Sequence, residues 1–150
     1  MNSTHATKIE ILESDRATRP ELLTSLAGRI FDDFDPGYIE ARLPQMIQPV
    51  LLVAQDEAGP VGFKLGYRDQ DSFYSWLGGV DPRARRQGLA SRLMQAQHEH
   101  VRTLGYHSVT TRTRAANQPM IVLNLKFGFE IVGFEINHAG FAVVSQRKHL

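Results

Sequence analysis

The chain has 150 residues, 42% of them apolar, with 17 Lys and Arg against 16 Asp and Glu and no cysteine. These values suit one ordinary globular domain, here residues 1–150, and exclude disordered, collagen-like and low-complexity classes. Without a thiol there is no disulfide, no Cys-held zinc or iron–sulfur cluster, and no acyl-thioester intermediate on the protein.

Lys8 to Leu12 reads as a short first strand, after which Ser14 or Asp15 can cap a helix carrying Leu22, Leu23, Leu26 and Ile30 at helical spacing, loosened near its end by Gly28. Asp35-Pro36 is a helix-start signal, Asp as the cap and Pro at the first helical position, and Pro44 and Pro49 close that second helix. Val50 to Ala54 and Val61 to Tyr67 are apolar runs around the turn Asp56-Glu57-Ala58-Gly59-Pro60, which predicts a hairpin. Ser72 to Val80 is the third strand of this meander, with Phe73, Ser75 and Leu77 on one face and Tyr74 and Trp76 on the other. After Pro82, the stripe Leu89, Ala90, Leu93, Met94, Val101 and Leu104 predicts an amphipathic helix of about 17 residues with Gly105 at its C-terminus. His107 to Thr113 is β-branched and extended, Asn117 can cap a helix to Phe127 that Gly128 ends, and Phe129 to Ile136 and Phe141 to Ser145 form a closing pair of strands. The order β-αα-βββ-α-β-α-ββ is an α/β fold with a mixed sheet.

No apolar run approaches the roughly 20 residues that span a bilayer, and Met1 to Thr7 lacks the basic-then-apolar order of a leader. A cytoplasmic location without a membrane partner is therefore expected. The net charge of +1 divides unevenly, with 5 basic and 10 acidic residues over 1–60 and 12 basic and 6 acidic over 61–150. Near-neutral total charge, and no basic stripe with interleaved aromatics, argue against a nucleic-acid partner. His98 and His100 are two apart on a helix, hence on different faces, and no other His pair has metal-ligand spacing, so no metal is expected.

The segment Gly78 to Ala90 joins a strand to the long helix and, with Arg92, carries the arginines Arg83, Arg85, Arg86 and Arg92 in close succession. A helix N-terminus offers unpaired N–H groups and a partial positive charge, and Gly88 and Ala90 leave the backbone open to a diphosphate. There is no Gly-Lys-Ser/Thr of a Walker loop and no Gly-x-Gly-x-x-Gly of a dinucleotide fold, so a different diphosphate ligand is needed.

Arg85-x-x-Gly88-x-Ala90, preceded by Val80-x-Pro82, resembles the Arg/Gln-x-x-Gly-x-Gly/Ala signature of the GNAT superfamily of acetyl-CoA-dependent N-acetyltransferases. Asn117-x-x-Met120-Ile121-x-Leu123-x-x-Lys126-x-Gly128-Phe129 is similar to the family's second cofactor motif at the expected distance. The resemblance covers roughly residues 8 to 145 and implies a mixed, mostly antiparallel sheet flanked by helices. It implies that the backbone of Gly78, Gly79 and Val80 lies beside the pantetheine arm of acetyl-CoA and that Arg86, Gln87, Gly88, Leu89, Ala90 and Ser91, with Arg85, hold the pyrophosphate. Asn117 would hydrogen-bond the same cosubstrate. It further implies a strand bulge, suited by Gly78-Gly79, whose freed N–H polarises the thioester carbonyl. The structural alternative for each residue is ordinary: a strand end, a solvated helix start, an N-cap.

Two positions depart from the family pattern. A Tyr seven residues after the motif asparagine often acts as general acid, and here that position is Asn124; a Glu five residues before it is often the base, and here it is Arg112. An amide cannot donate a proton at neutral pH, though Asn124 can hydrogen-bond the sulfur. Tyr74, Tyr38, Glu40 and His138 are the other ionisable candidates. The resemblance thus implies transfer of acetyl to a primary amine, on a small molecule or a peptide, by direct attack in a ternary complex. A catalytically silent acyl-CoA-binding sensor is the alternative that Asn124 and Arg112 motivate, and a homodimer is compatible with either. For the acceptor, Asp32, Asp33 and Phe34 between the first two helices, with Trp76, form a candidate surface for a cationic amine with an apolar body.

Overall fold

The computed structural model describes residues 7–150; the opening segment 1–6, part of the stretch read above for a leader, lies outside them. Seven strands form one sheet: β1 (Lys8–Glu13), β2 (Ile47–Asp56), β3 (Gly59–Asp69), β4 (Ser72–Val80), β5 (Ser108–Arg114), β6 (Glu130–Ile136) and β7 (Ala142–His149). Their spatial order is β1-β2-β3-β4-β5-β7-β6, antiparallel throughout except where β5 runs parallel to β4. Helices α1 (Pro20–Ile30), α2 (Pro36–Arg42), α3 (Leu89–Thr103) and α4 (Gln118–Lys126) complete the expected order of elements.

The apolar runs of the central strands are continuous because both faces are covered. In β2, Val50, Leu52 and Ala54 face one layer, which holds Leu89, Leu93, Met94 and Val101 of α3, while Leu51 and Val53 face the other. That second layer contains Leu23, Leu26, Ala27 and Ile30 of α1 and Ile39 of α2. The stripe read for α3 is thus its buried face, apart from Ala90 and Leu104, which are exposed. Asp35 caps α2 as expected, its Oδ1 accepting from the Gly37 N–H at 3.0 Å.

Four local expectations are corrected. Ser14 and Asp15 do not cap α1: residues Ser14–Arg16 form a 3-10 turn, and the helix begins at Pro20, whose missing N–H costs nothing at the first helical position. Gly28 does not loosen the end of α1, which continues helical to Ile30 and stops at the extended Phe31, whose N–H still donates to Ala27 O. β2 begins at Ile47 and includes Pro49, tolerated because the register shifts between Ile47 and Val50. The fourth correction shapes the site. Leu65 pairs with Leu77 but Gly66 pairs with Ser75, so Trp76 is an extra residue and the bulge falls there, not at Gly78-Gly79. It turns Leu77 to the side of Trp76, under α1 and α2, away from the layer that holds Phe73.

The bulge also ends the pairing of β4 with β5. Only Phe73, Tyr74 and Ser75 pair, with Val109, Thr110 and Thr111, and a bond from Thr111 Oγ1 to Ser75 O at 2.8 Å closes the contact. From Trp76 to Val80 the edge of β4 that faces β5 has no strand partner among the described residues, and the sheet opens into a cleft.

Candidate functional site

At the mouth of this cleft the connection from β4 to α3 is anchored by Asp81. Its N–H donates to Val61 O at 2.7 Å, and its Oδ1 accepts from the Arg83 N–H at 3.0 Å and Arg83 Nε at 3.2 Å. The bonds from Arg83 hold the Asp81 carboxyl below its ordinary range against the opposing effect of burial. Arg83 is therefore committed to the loop itself, and Arg92 donates to Thr7 O at 2.8 Å.

Arg86 and Gly88 both adopt the left-handed conformation, with φ of 66° and 72°, so the backbone curls immediately before α3. The first turn of α3, Leu89 to Ser91, has N–H groups without intrahelical acceptors, and a Cβ on Gly88 would meet nothing within 4 Å. Arg85 braces the end of β4, its Nε donating to Val80 O at 2.9 Å. Next to this loop lies a cavity of about 460 Å³ whose walls include Gly78, Gly79, Val80, Arg85, Ala90 and Asn117. Arg86, Gln87, Gly88, Leu89 and Ser91 belong to the loop but lie outside that wall, and the Leu89 side chain is buried, leaving only its backbone to face a ligand. Asn117 caps α4, its Oδ1 accepting from the Met120 N–H at 3.4 Å, and lines both this cavity and the larger one. An unpaired strand edge, free helix-terminal N–H groups and bare backbone at Gly88 together fit a ligand with a diphosphate and an amide-bearing arm.

A larger cleft, about 840 Å³, adjoins this cavity and shares Lys64, Gly78, Met94 and Asn117 with it. Asp33, Phe34, Tyr38 and Trp76 line it, facing Arg112, Arg114 and Phe141. Asp32 and Tyr74 are not on its walls. Asp33 is 3.6 Å from Arg114, whose guanidinium lies 3.8 Å from the centre of the Phe141 ring. Arg112, in the position of the missing base, is ion-paired with Glu135. The Tyr38 and Trp76 rings meet at a tilt of 54° with centroids 5.6 Å apart, and the Arg42 guanidinium lies 4.8 Å from the Trp76 ring centre. Burial, with Tyr67 adding to it, pushes the Tyr74 phenol up to about 12, so it stays protonated.

Polar side chains are also buried on the α3 and α4 side of the sheet. Asn124 donates through Nδ2 to Gln146 Oε1 at 2.9 Å, and Gln146 Nε2 donates to Ile121 O at 3.3 Å, so the amide on the cleft wall is fixed in place. His98 lies near them, its Nδ1 3.1 Å from Lys148 Nζ. Burial first, then the Lys148 charge, pulls His98 down to about 3, leaving the ring neutral at ordinary pH. Burial likewise pulls Lys64 on β3 down to about 8.

Against this geometry, the acetyltransferase (GNAT) family profile matches residues 11–129. The chain belongs to the GNAT acetyltransferase family. It is 32% identical over 94 residues to the mycothiol acetyltransferase of Propionibacterium freudenreichii subsp. shermanii, covering 59% of this chain and 30% of that protein. Over 89 residues it is 34% identical to the L-methionine sulfoximine/L-methionine sulfone acetyltransferase of Pseudomonas paraeruginosa, covering 55% of this chain and 52% of the other. The chain thus spans about half or less of the length of these relatives. Among solved structures, the fold matches the ribosomal-protein-S18-alanine N-acetyltransferase of Escherichia coli with a TM-score of 0.79 at 17% identity, covering 96% of this chain and 94% of that one. It also matches a GNAT acetyltransferase of Elizabethkingia anophelis with acetyl-CoA bound, with a TM-score of 0.75 at 17% identity over 95% and 98% of the two chains.

Sequence reasoning passed over Lys64, Gln146 and Arg42, and weighed His98 only as a metal ligand. For Lys64 a signal was present: a lysine between Phe63 and Leu65, inside a strand apolar on both faces, is an interior charge and needs a reason. For His98 and Gln146 there was none, since their burial depends on which helix and strand meet.

Proposed function

We propose that this GNAT family member is an N-acetyltransferase that takes the acetyl group of acetyl-CoA and passes it to a primary amine by direct attack in a ternary complex. The observation that carries this reading is the split of the sheet at Trp76. It leaves the β4 edge from Trp76 to Val80 open beside the free N–H groups of α3, where one cavity adjoins a second cleft lined by aromatic and charged side chains. In this reading the curl Arg86 to Gly88 and the first turn of α3 hold the diphosphate, Gly78, Gly79 and Val80 pair with the amide-bearing arm, and Asn117 adds a hydrogen bond. An N–H freed near the bulge polarises the thioester carbonyl, which stabilises the tetrahedral oxyanion without a side chain. Asn124 orients the sulfur.

The acceptor enters from the side of Tyr38, Trp76 and Arg112. That one relative acetylates L-methionine sulfoximine and L-methionine sulfone, by its name, supports a small amine. No helix of the described residues is long and apolar enough to cross a membrane, and a cytoplasmic site of action accords with the use of acetyl-CoA.

Thiol release from acetyl-CoA in the presence of a panel of amines tests the reading, and the cysteine-free chain adds no thiol of its own. Binding of acetyl-CoA without thiol release from any amine would favour the sensor alternative. The observation on its side is that Asn124 and Arg112 are both held by internal partners, Gln146 and Glu135.

A further inference from the structure

Lys64 lies at the junction of the two cavities and is in the wall of each. It is in register with Gly78, and its stem crosses that glycine closely: a Cβ on Gly78 would be 3.0 Å from Lys64 Cγ. The missing side chain at Gly78 therefore makes room for the lysine stem on the strand that borders the opening. Among the described residues Lys64 has no hydrogen-bond or ion-pair partner. An ammonium on a central strand, half-buried and without a counterion, is costly unless it serves something the cleft receives.

We propose that Lys64 is the proton donor to the departing thiolate of acetyl-CoA, the task left vacant by Asn124. This rests on the acetyltransferase reading above. The neutral acceptor nitrogen forms its bond to the thioester carbon, the carbon–sulfur bond breaks, and the sulfur takes a proton from Lys64 Nζ. The new amide nitrogen sheds one proton, which returns to the Lys64 amine, so the enzyme ends as it began and no other reactant is needed. Any proton that an acceptor ammonium must first lose goes to solvent.

The groups around Lys64 suit a donor. His98 on α3 is neutral, with Lys148 of β7 beyond it; Asn124 of α4 is uncharged; Arg112 and Arg114 of β5 are paired with Glu135 and Asp33. Burial pulls the ammonium down to about 8, and a thiol titrates at about 8.5, so the transfer is nearly thermoneutral.

The test uses the full chain with acetyl-CoA and whichever amine gives thiol release. In the wild type, kcat falls on the alkaline side with a midpoint near the Lys64 value of about 8. Lys64→Met and Lys64→Arg lower kcat by about 10²–10⁴-fold, lose that limb, and keep the thermal shift produced by CoA. Because the chain has no other cysteine, Lys64→Cys can be alkylated at that one position with 2-bromoethylamine, which rebuilds a lysine-like ammonium and restores kcat. A wild type without an alkaline limb, a Lys64→Met enzyme close to wild-type kcat, or an aminoethylated Lys64→Cys no faster than its precursor each overturns the assignment. If the wild type shows neither a CoA thermal shift nor thiol release, the acetyltransferase reading falls first. If it shows both and a Lys64 arm fails, only the proton donor is wrong.

Discussion

Ile30 lies against the bare Cα of Gly79: a Cβ there would be 2.6 Å from Ile30 Cγ2. α1 is packed onto the strand that borders the cleft at a distance only glycine permits. Gly79→Ala therefore overpacks this contact and lowers stability by about 1–3 kcal/mol. Urea denaturation reads the change as a lower midpoint at unchanged slope.

Gly88 carries its left-handed φ into open space, and a Cβ there would meet no atom within 4 Å. Gly88→Glu places bulk and negative charge on the proposed diphosphate site and abolishes the thermal shift given by CoA. Gly140→Glu, at another glycine with positive φ and open surroundings in the β6–β7 turn, pays the same backbone strain and keeps the shift. Equal shifts in both variants would remove the loop from the cofactor site.

Asn124 and Gln146 are both buried and share one hydrogen bond of 2.9 Å. Asn124→Ala leaves Gln146 Oε1 without its donor, which costs about 1–3 kcal/mol of stability. Turnover falls modestly, well short of the roughly 10²–10⁴-fold loss of a general acid. Denaturation and steady-state kinetics on the same preparation separate the two effects.

The acidic segment between α1 and α2 divides into two cases. Asp33 lines the cleft and faces Arg114, whereas Asp32 does not reach it. Asp33→Asn changes the Michaelis constant for a charged acceptor at low salt and leaves that for acetyl-CoA unchanged; Asp32→Asn changes neither. The exposed pair adds little to stability, so the melting temperature of either variant stays near wild type.

His98 makes stability depend on acid. Its folded value of about 3 lies below the ordinary 6.5, so between those values the unfolded chain binds the extra proton and stability rises with pH. The contribution is complete above about 6.5 and is lost as pH falls toward 3. In His98→Gln the slope of unfolding free energy against pH is shallower across that window, measured as the difference from wild type.

Much of this molecule was legible in its sequence because periodicity and punctuation are local. The α3 stripe, the Asp35-Pro36 cap, Gly105 and Gly128 past their helices, and the arginine–glycine loop before a helix all express short-range backbone physics. The two motifs were sufficient for the family and hence the sheet. What the sequence did not determine depends on partners distant along the chain. The bulge at Trp76 arises from how β4 registers against β3, and alternation within β4 alone placed Leu77 on the wrong face. Asp33 looked like a free carboxylate until the fold brought Arg114 beside it from β5. Asn124 had no partner in the sequence reading, and only the fold brought Gln146 of β7 to hold its amide on the cleft wall. Lys64 is the sharpest case: composition counts one more cation, and only the tertiary structure places its stem over Gly78 and the residue in the walls of two cavities. Burial and pairing are properties of the packed assembly, and they decide protonation and reach.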